Sequence, residues 1–126
     1  MSILYAEDDP DDITLFRDVI RLINPSIACI MAQNGQEALT ILNQSKELPD
    51  FIFLDINMPI MDGIRCLLSI RCEMRYADIP VIMYSNNIGQ KQTFLNLGAS
   101  QCLTKHNSFN QALLELASIL YYLRKN

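Results

Sequence analysis

Five carboxylates crowd into the eight residues "YAEDDPDD" (5–12): Glu7, Asp8, Asp9, Asp11 and Asp12. At about 4 Å and an effective dielectric near 20, two like charges repel by roughly 4 kcal/mol. Either solvation or a cation must relieve such crowding. A further aspartate, Asp55, follows the apolar run "FIFL", Ser85 closes "PVIMYS", and Lys105 comes just after "SQCLT". These residue types suit phosphoryl chemistry. An aspartate carboxylate can attack phosphorus and form an acyl phosphate. Magnesium takes oxygen ligands from one or two carboxylates, from phosphate and from water; Glu7, Asp8 and Asp55 offer such oxygens. Lys105 is a flexible point charge for a phosphate oxygen, and the Ser85 hydroxyl can donate to another.

The elements between these residues must bring them to one place. Short apolar runs at 2–6, 26–31, 50–55, 80–85 and 100–104 read as strands. The third and fourth are nearly all apolar, as expected of parallel strands covered on both faces. Helical periodicity fills the gaps: Ile13, Phe16, Ile20 and Ile23; Ala38, Leu39 and Leu42; Ile64, Leu67 and Leu68; and Phe109, Leu113, Leu116, Leu120 and Leu123. A fourth, shorter helix is placed over Gln90 to Leu97. Asp9 before Pro10 reads as an N-cap with proline in the first turn, and Asn34-Gly35, Asp62-Gly63 and Gly98 mark turns or helix ends. The order is βα repeated five times, an α/β chain with a parallel sheet and helices on both faces.

In such sheets, ligands bind beyond the carboxyl ends of the strands. Glu7, Asp8 and Asp9 follow strand one, Asp55 strand three, Ser85 strand four and Lys105 strand five. Taken singly, each has an ordinary structural use: Asp9, Asp11 and Asp12 as helix-start carboxylates favourable to the dipole, Asp55 as a cap, Ser85 as a turn former, Lys105 as a solvated lysine. Four strands converging on one rim with complementary chemistry make the site.

Composition narrows the classes. The chain has 126 residues, half of them hydrophobic, and a formal net charge of −4. One domain spanning 1–126 is expected. No apolar run approaches the eighteen or so residues of a membrane span, and "MSILYAEDD" lacks the basic start of a signal peptide. No basic cluster points to nucleic acid. Cys29, Cys66, Cys72 and Cys102 sit in apolar segments without CxxC spacing, so they read as buried thiols of a cytoplasmic protein.

The stretches "ILYAEDD" (3–9), "FIFLDINMPIMDG" (51–63), "PVIMYS" (80–85) and "GASQCLTK" (98–105) resemble, in order and spacing, the receiver domain of two-component response regulators. The chain looks like a stand-alone member. The resemblance implies a flavodoxin-like, doubly wound (βα)5 fold with strand order 2-1-3-4-5. It implies that Asp55 accepts a phosphoryl group from a histidine kinase or phosphotransfer protein. Glu7 and Asp8 would be the acidic pair, with Asp8 and Asp55 on Mg²⁺ directly, Glu7 mainly through water and Asn57 through its backbone carbonyl. Ser85 and Lys105 would engage the phosphoryl oxygens. Such a domain catalyses only its own phosphorylation and hydrolysis and is not classed as an enzyme. It signals through the surface of helix four, strand five and helix five, to a downstream partner or a second copy; Leu114, Tyr121 and Tyr122 are candidates for that surface.

The sequence also departs from the family pattern. His106 stands where proline commonly follows the lysine; a cis bond before a non-proline residue costs about 2.5–4 kcal/mol, so a trans bond and a re-routed loop are expected, with His106 exposed. Cys102 replaces the aromatic switch residue. Asn86 is larger than the usual neighbour of Ser85, and Asn57 and Asn87 occupy positions that tune dephosphorylation in relatives. These departures raise an alternative, a pseudo-receiver acting as a constitutive interaction module. A nucleotide-binding domain or a small metal-dependent phosphatase is disfavoured: there is no GxxxxGK[ST] or GxGxxG motif, and "LDINMP" lacks a second aspartate two positions on.

Overall fold

The computed structural model describes residues 1–125. Five strands, β1 (Ser2–Ala6), β2 (Ala28–Ala32), β3 (Phe51–Leu54), β4 (Val81–Ser85) and β5 (Gln101–Thr104), alternate with five helices. These are α1 (Pro10–Ile23), α2 (Gly35–Gln44), α3 (Gly63–Arg71), α4 (Lys91–Asn96) and α5 (Phe109–Lys125). All pairings are parallel and the strand order is β2-β1-β3-β4-β5, the doubly wound order expected from the resemblance.

Alternation along the strands splits the core into two layers. Leu4, Ala6, Ile52, Leu54, Val81, Met83 and Cys102 pack with α2, α3 and α4 on one face. Ile3, Tyr5, Phe51, Phe53, Ile82 and Tyr84 pack with α1 and α5 on the other, against Phe16, Ile20, Leu116 and Leu120. The four rings of Tyr5, Phe16, Phe53 and Tyr84 form one aromatic cluster, with centroids 4.3–6.5 Å apart. This cluster lies beneath the carboxyl ends of β1, β3 and β4 and gives the rim a rigid floor.

The N-cap falls at Asp9 as expected, and the Asn34-Gly35 and Asp62-Gly63 turns prove to be helix starts as well. Asp9 accepts hydrogen bonds from the backbone of Asp11 and Asp12, Asn34 from Glu37, and Asp62 from Arg65. Each ties a helix start to the loop that leaves a strand end. Three expectations need correction. Strand two begins at Ala28 rather than residue 26, because Pro25 and Ser26 turn the chain out of α1 and Ser26 donates its N–H to Asn24. Phe109 is 37% exposed; Ala112 and Ile119 face inward with Leu116 and Leu120 instead. Of the four cysteines, Cys66 and Cys102 are buried, Cys29 is half-buried and Cys72 is exposed at the end of α3.

Candidate functional site

Three strands, β1, β3 and β5, continue the sheet's hydrogen bonding by one residue, and this extra step places Glu7, Asp55 and Lys105. The Glu7 N–H donates to the Ala32 carbonyl at 2.9 Å, Asp55 N–H to Ala6 at 3.1 Å, and Lys105 N–H to Ser85 at 2.9 Å. Glu7 and Asp55, so placed, and Ser85 at the end of β4 are buried to 1%, 7% and 4% exposure, although all are polar. One carboxylate oxygen from each of Glu7, Asp8 and Asp55 lies within 4.8 Å of the others. Asp8 is the exposed member of the three.

Glu7 is the most constrained of them. Its Oε2 accepts the backbone N–H groups of Asp8 and Asp9, and its Oε1 accepts the Tyr5 hydroxyl at 3.1 Å and the Lys105 ammonium. Burial pushes the Glu7 carboxyl above the usual range, against the opposing pull of Lys105. Lys105 Nζ also contacts Asp12 Oδ2 at 2.9 Å and lies 3.6 Å from Asp55 Oδ1. Burial alone would pull the Lys105 ammonium down, but its bonds to Glu7 and Asp12 overcome this and raise it. The ammonium lies 6.0 Å from the Tyr84 ring centroid. It therefore sits among three carboxylates above an aromatic floor.

Three oxygens from separate carboxylates, two of them buried, fit a hard cation that takes oxygen ligands. Glu7 already has a donor on each oxygen, so Asp8 and Asp55 hold the freer oxygens.

Residues 3–117 match the sequence profile of the response regulator receiver domain. The chain belongs to that family. The receiver is 30% identical over 104 residues to the probable C4-dicarboxylate response regulator DctR of Bacillus subtilis, covering 82% of this chain and 45% of that protein. It thus spans less than half the length of that curated relative. Among solved structures it is similar to the phosphorylated cyanobacterial phytochrome response regulator RcpA (26% identity, TM-score 0.87, 97% of this chain and 92% of that one). It is also similar to the Mn²⁺-bound form of response regulator Rcp1 (25% identity, TM-score 0.81, 94% and 90% covered).

The receiver brings Glu7, Asp8, Asp55 and Lys105 together as the spacing anticipates, with Ser85 at the end of β4 beside Thr104. Asn57, Asn86 and Asn87 are exposed on the surrounding loops. No peptide bond among the described residues is cis, so Lys105–His106 is trans. His106 is not the fully exposed loop residue expected: it is half-buried, and its Nε2 pairs with Glu115 Oε1 at 2.8 Å, tying the loop after β5 to α5. Cys102 is buried on the α4 side, with its thiol 3.9 Å from the Lys91 carbonyl.

Two residues at the site were missed by sequence reasoning. Tyr5 lies in β1 and Glu7 continues its ladder two positions on, so they share a face, and the hydroxyl beneath Glu7 follows from that. Asp12 precedes Phe16 by four residues and so extends the inward stripe of α1 rather than its solvent face.

Proposed function

We propose that this receiver is a phospho-accepting switch in which Asp55 takes a phosphoryl group from a phosphohistidine of a histidine kinase or phosphotransfer protein. The observation that carries this reading is the convergence of Glu7, Asp8 and Asp55 on one point with Lys105 at its edge. Mg²⁺ is the cofactor of the proposal, held by Asp8 and Asp55 and the Asn57 backbone carbonyl, with Glu7 acting mainly through water. Bound there, it supplies charge neutralisation for the transferring phosphoryl group. The phosphorylated and Mn²⁺-bound relatives support the reading by likeness.

The chain's own residues do the rest. Asp55 is the nucleophile, and its burial at a strand end fixes the direction of attack. Lys105 pairs with a phosphoryl oxygen, and the Ser85 hydroxyl donates to another. Asn57 and Asn87, exposed on the loops after β3 and β4, tune the lifetime of the acyl phosphate, and Asn86 beside Ser85 crowds the phosphoryl group. The domain acts on itself only, catalysing its own phosphorylation and hydrolysis in the cytoplasm.

The output surface of the proposal is α4-β5-α5, read by a downstream protein or a second copy. A groove of ≈ 520 Å³ between β5 and α5 is lined by Leu103, Leu114, Glu115, Ile119 and Tyr122. Cys102 offers no ring to swing inward, and this favours the second reading, a pseudo-receiver whose surface is constitutively competent. Amide NMR spectra with Mg²⁺ and beryllofluoride separate the two. The switch gives shifts at Ser85, Lys105 and along α4-β5-α5 that Asp55→Asn abolishes; the constitutive module gives none.

A further inference from the structure

We infer that Asp12 is a positioning residue that holds Lys105 in the unphosphorylated chain and competes with the phosphoryl group for it. This inference rests on the phospho-acceptor reading of Asp55.

The geometry around the ammonium carries it. Lys105 Nζ has Glu7, Asp12 and Asp55 as carboxylate neighbours, and the Asp12 oxygen, at 2.9 Å, is closer than that of Asp55, at 3.6 Å. The three acids come from different elements. Glu7 follows β1, Asp55 follows β3, and Asp12 lies in the first turn of α1. The Lys105 side chain is only 6% exposed, whereas Asp12 is 26% exposed and forms the solvent side of the trio. The lysine cannot retreat inward. The cavity beside it, lined by Tyr5, Phe16, Tyr84 and Leu116, measures ≈ 10 Å³, about the least that one water needs. Its available movement is therefore between Asp55 and Asp12.

Charge balance gives the direction of the effect. A phosphoryl group on Asp55 brings about −1.5 to −2 charges and new acceptor oxygens to one side of the ammonium. Lys105 must release Asp12, or share it poorly, to pair with those oxygens. Each kilocalorie of Asp12–Lys105 attraction is thus subtracted from the phosphorylated state. The release leaves Asp12 without its cation in the first turn of α1, where a negative charge is favourable to the helix dipole.

The test is the affinity of the full chain for beryllofluoride in saturating Mg²⁺, measured by titration calorimetry. Asp12→Asn is expected to tighten binding about fivefold, the effect of roughly 1 kcal/mol. Asp12→Glu, which keeps the charge, is expected to return affinity toward that of the parent. Asp11→Asn removes the same charge from the same helix turn without touching Lys105, and is expected to leave affinity unchanged. In a Lys105→Met background, Asp12→Asn is expected to have no effect. An equal gain in both backgrounds, or from Asp11→Asn, would show general charge relief and overturn the proposal. So would unchanged or weaker binding in Asp12→Asn. If the parent chain itself takes no beryllofluoride, the phospho-acceptor reading fails and this inference fails with it, a result distinct from any of the others.

Discussion

A Cβ placed on Gly63 would lie 2.1 Å from the backbone carbonyl oxygen of Asp55. The first turn of α3 therefore presses directly on the backbone of the candidate phosphoacceptor, and the Gly63 N–H donates to Ile56 at 2.9 Å. Glycine closes the "LDINMPIMDG" block for this reason: nothing larger fits between α3 and the end of β3. Gly63→Ala is expected to destabilise the fold by about 2–3 kcal/mol, as overpacking against backbone does. It is also expected to slow phosphorylation of Asp55. Urea unfolding and phosphorylation rates measured side by side check both; wild-type values in each would contradict the account.

The Tyr5 hydroxyl is buried beneath the acidic rim and donates to Glu7 at 3.1 Å. Burial and the nearby Glu7 charge hold this hydroxyl protonated well above the usual phenol range, so it remains a donor. Tyr5→Phe keeps the ring and its contacts but removes that bond. The expected cost is about 1 kcal/mol of stability near neutral pH, read from the urea midpoint, with α1–sheet packing retained in near-UV circular dichroism.

Arg71 holds the opposite end of the molecule. Its guanidinium donates to the carbonyls of Gly98 (2.8 Å), Tyr76 (3.1 Å) and Ile79 (2.9 Å), joining the end of α3 to the turns before β4 and β5. Gly98, at φ 113°, is where the chain leaves α4, and its packing against the Arg71 stem leaves no room for a side chain. Arg71→Met keeps much of the stem but strands three acceptors. A loss of about 2–4 kcal/mol is expected, and hydrogen exchange should quicken at β5 and α4 more than at β1.

Alkaline pH should weaken the fold. Burial pushes the Cys66 thiol up to about 12 and the Tyr84 hydroxyl up to about 12. The Lys105 ammonium is also raised, burial being outweighed by Glu7 and Asp12. In the unfolded chain these groups lose their protons near about 8.5, 10 and 10.4 respectively. Above about pH 8.5 the unfolded chain therefore holds fewer protons than the folded one, and stability falls as pH rises. The slope approaches about 1.4 kcal/mol per pH unit for each group in its window. Urea unfolding between about pH 7 and 10.5 measures it, and Cys66→Ala should flatten the portion that begins near the thiol's unfolded value. A stability that rises with pH over this range contradicts the assignment.

Most of the architecture was legible because the periodicities are strong. "FIFL" and "VIMYS" read as covered strands and Asp9-Pro10 as a helix start, and all three hold; the Asn34-Gly35 and Asp62-Gly63 turn signals mark the right places but do not say that a helix begins there. The rim residues were legible because parallel topology sends every strand's end the same way. Side-chain partnerships were less visible. Asp12 reads from the sequence as a helix-start surface carboxylate favourable to the dipole, yet Lys105, reaching across from the end of β5, draws it to the site. His106 reads from the sequence as an exposed loop residue; Glu115, nine residues on, holds it across the turn into α5. In both cases the deciding partner comes from another element, and local pattern carries no information about it.

The central claim is that Asp55 is a phosphoacceptor, and intact mass after incubation with acetyl phosphate or phosphoramidate in Mg²⁺ tests it most directly. The account predicts a gain of one phosphoryl mass that requires Mg²⁺, is labile to hydroxylamine and is absent from Asp55→Asn. No adduct on the native chain, or an equal adduct on Asp55→Asn, would contradict it.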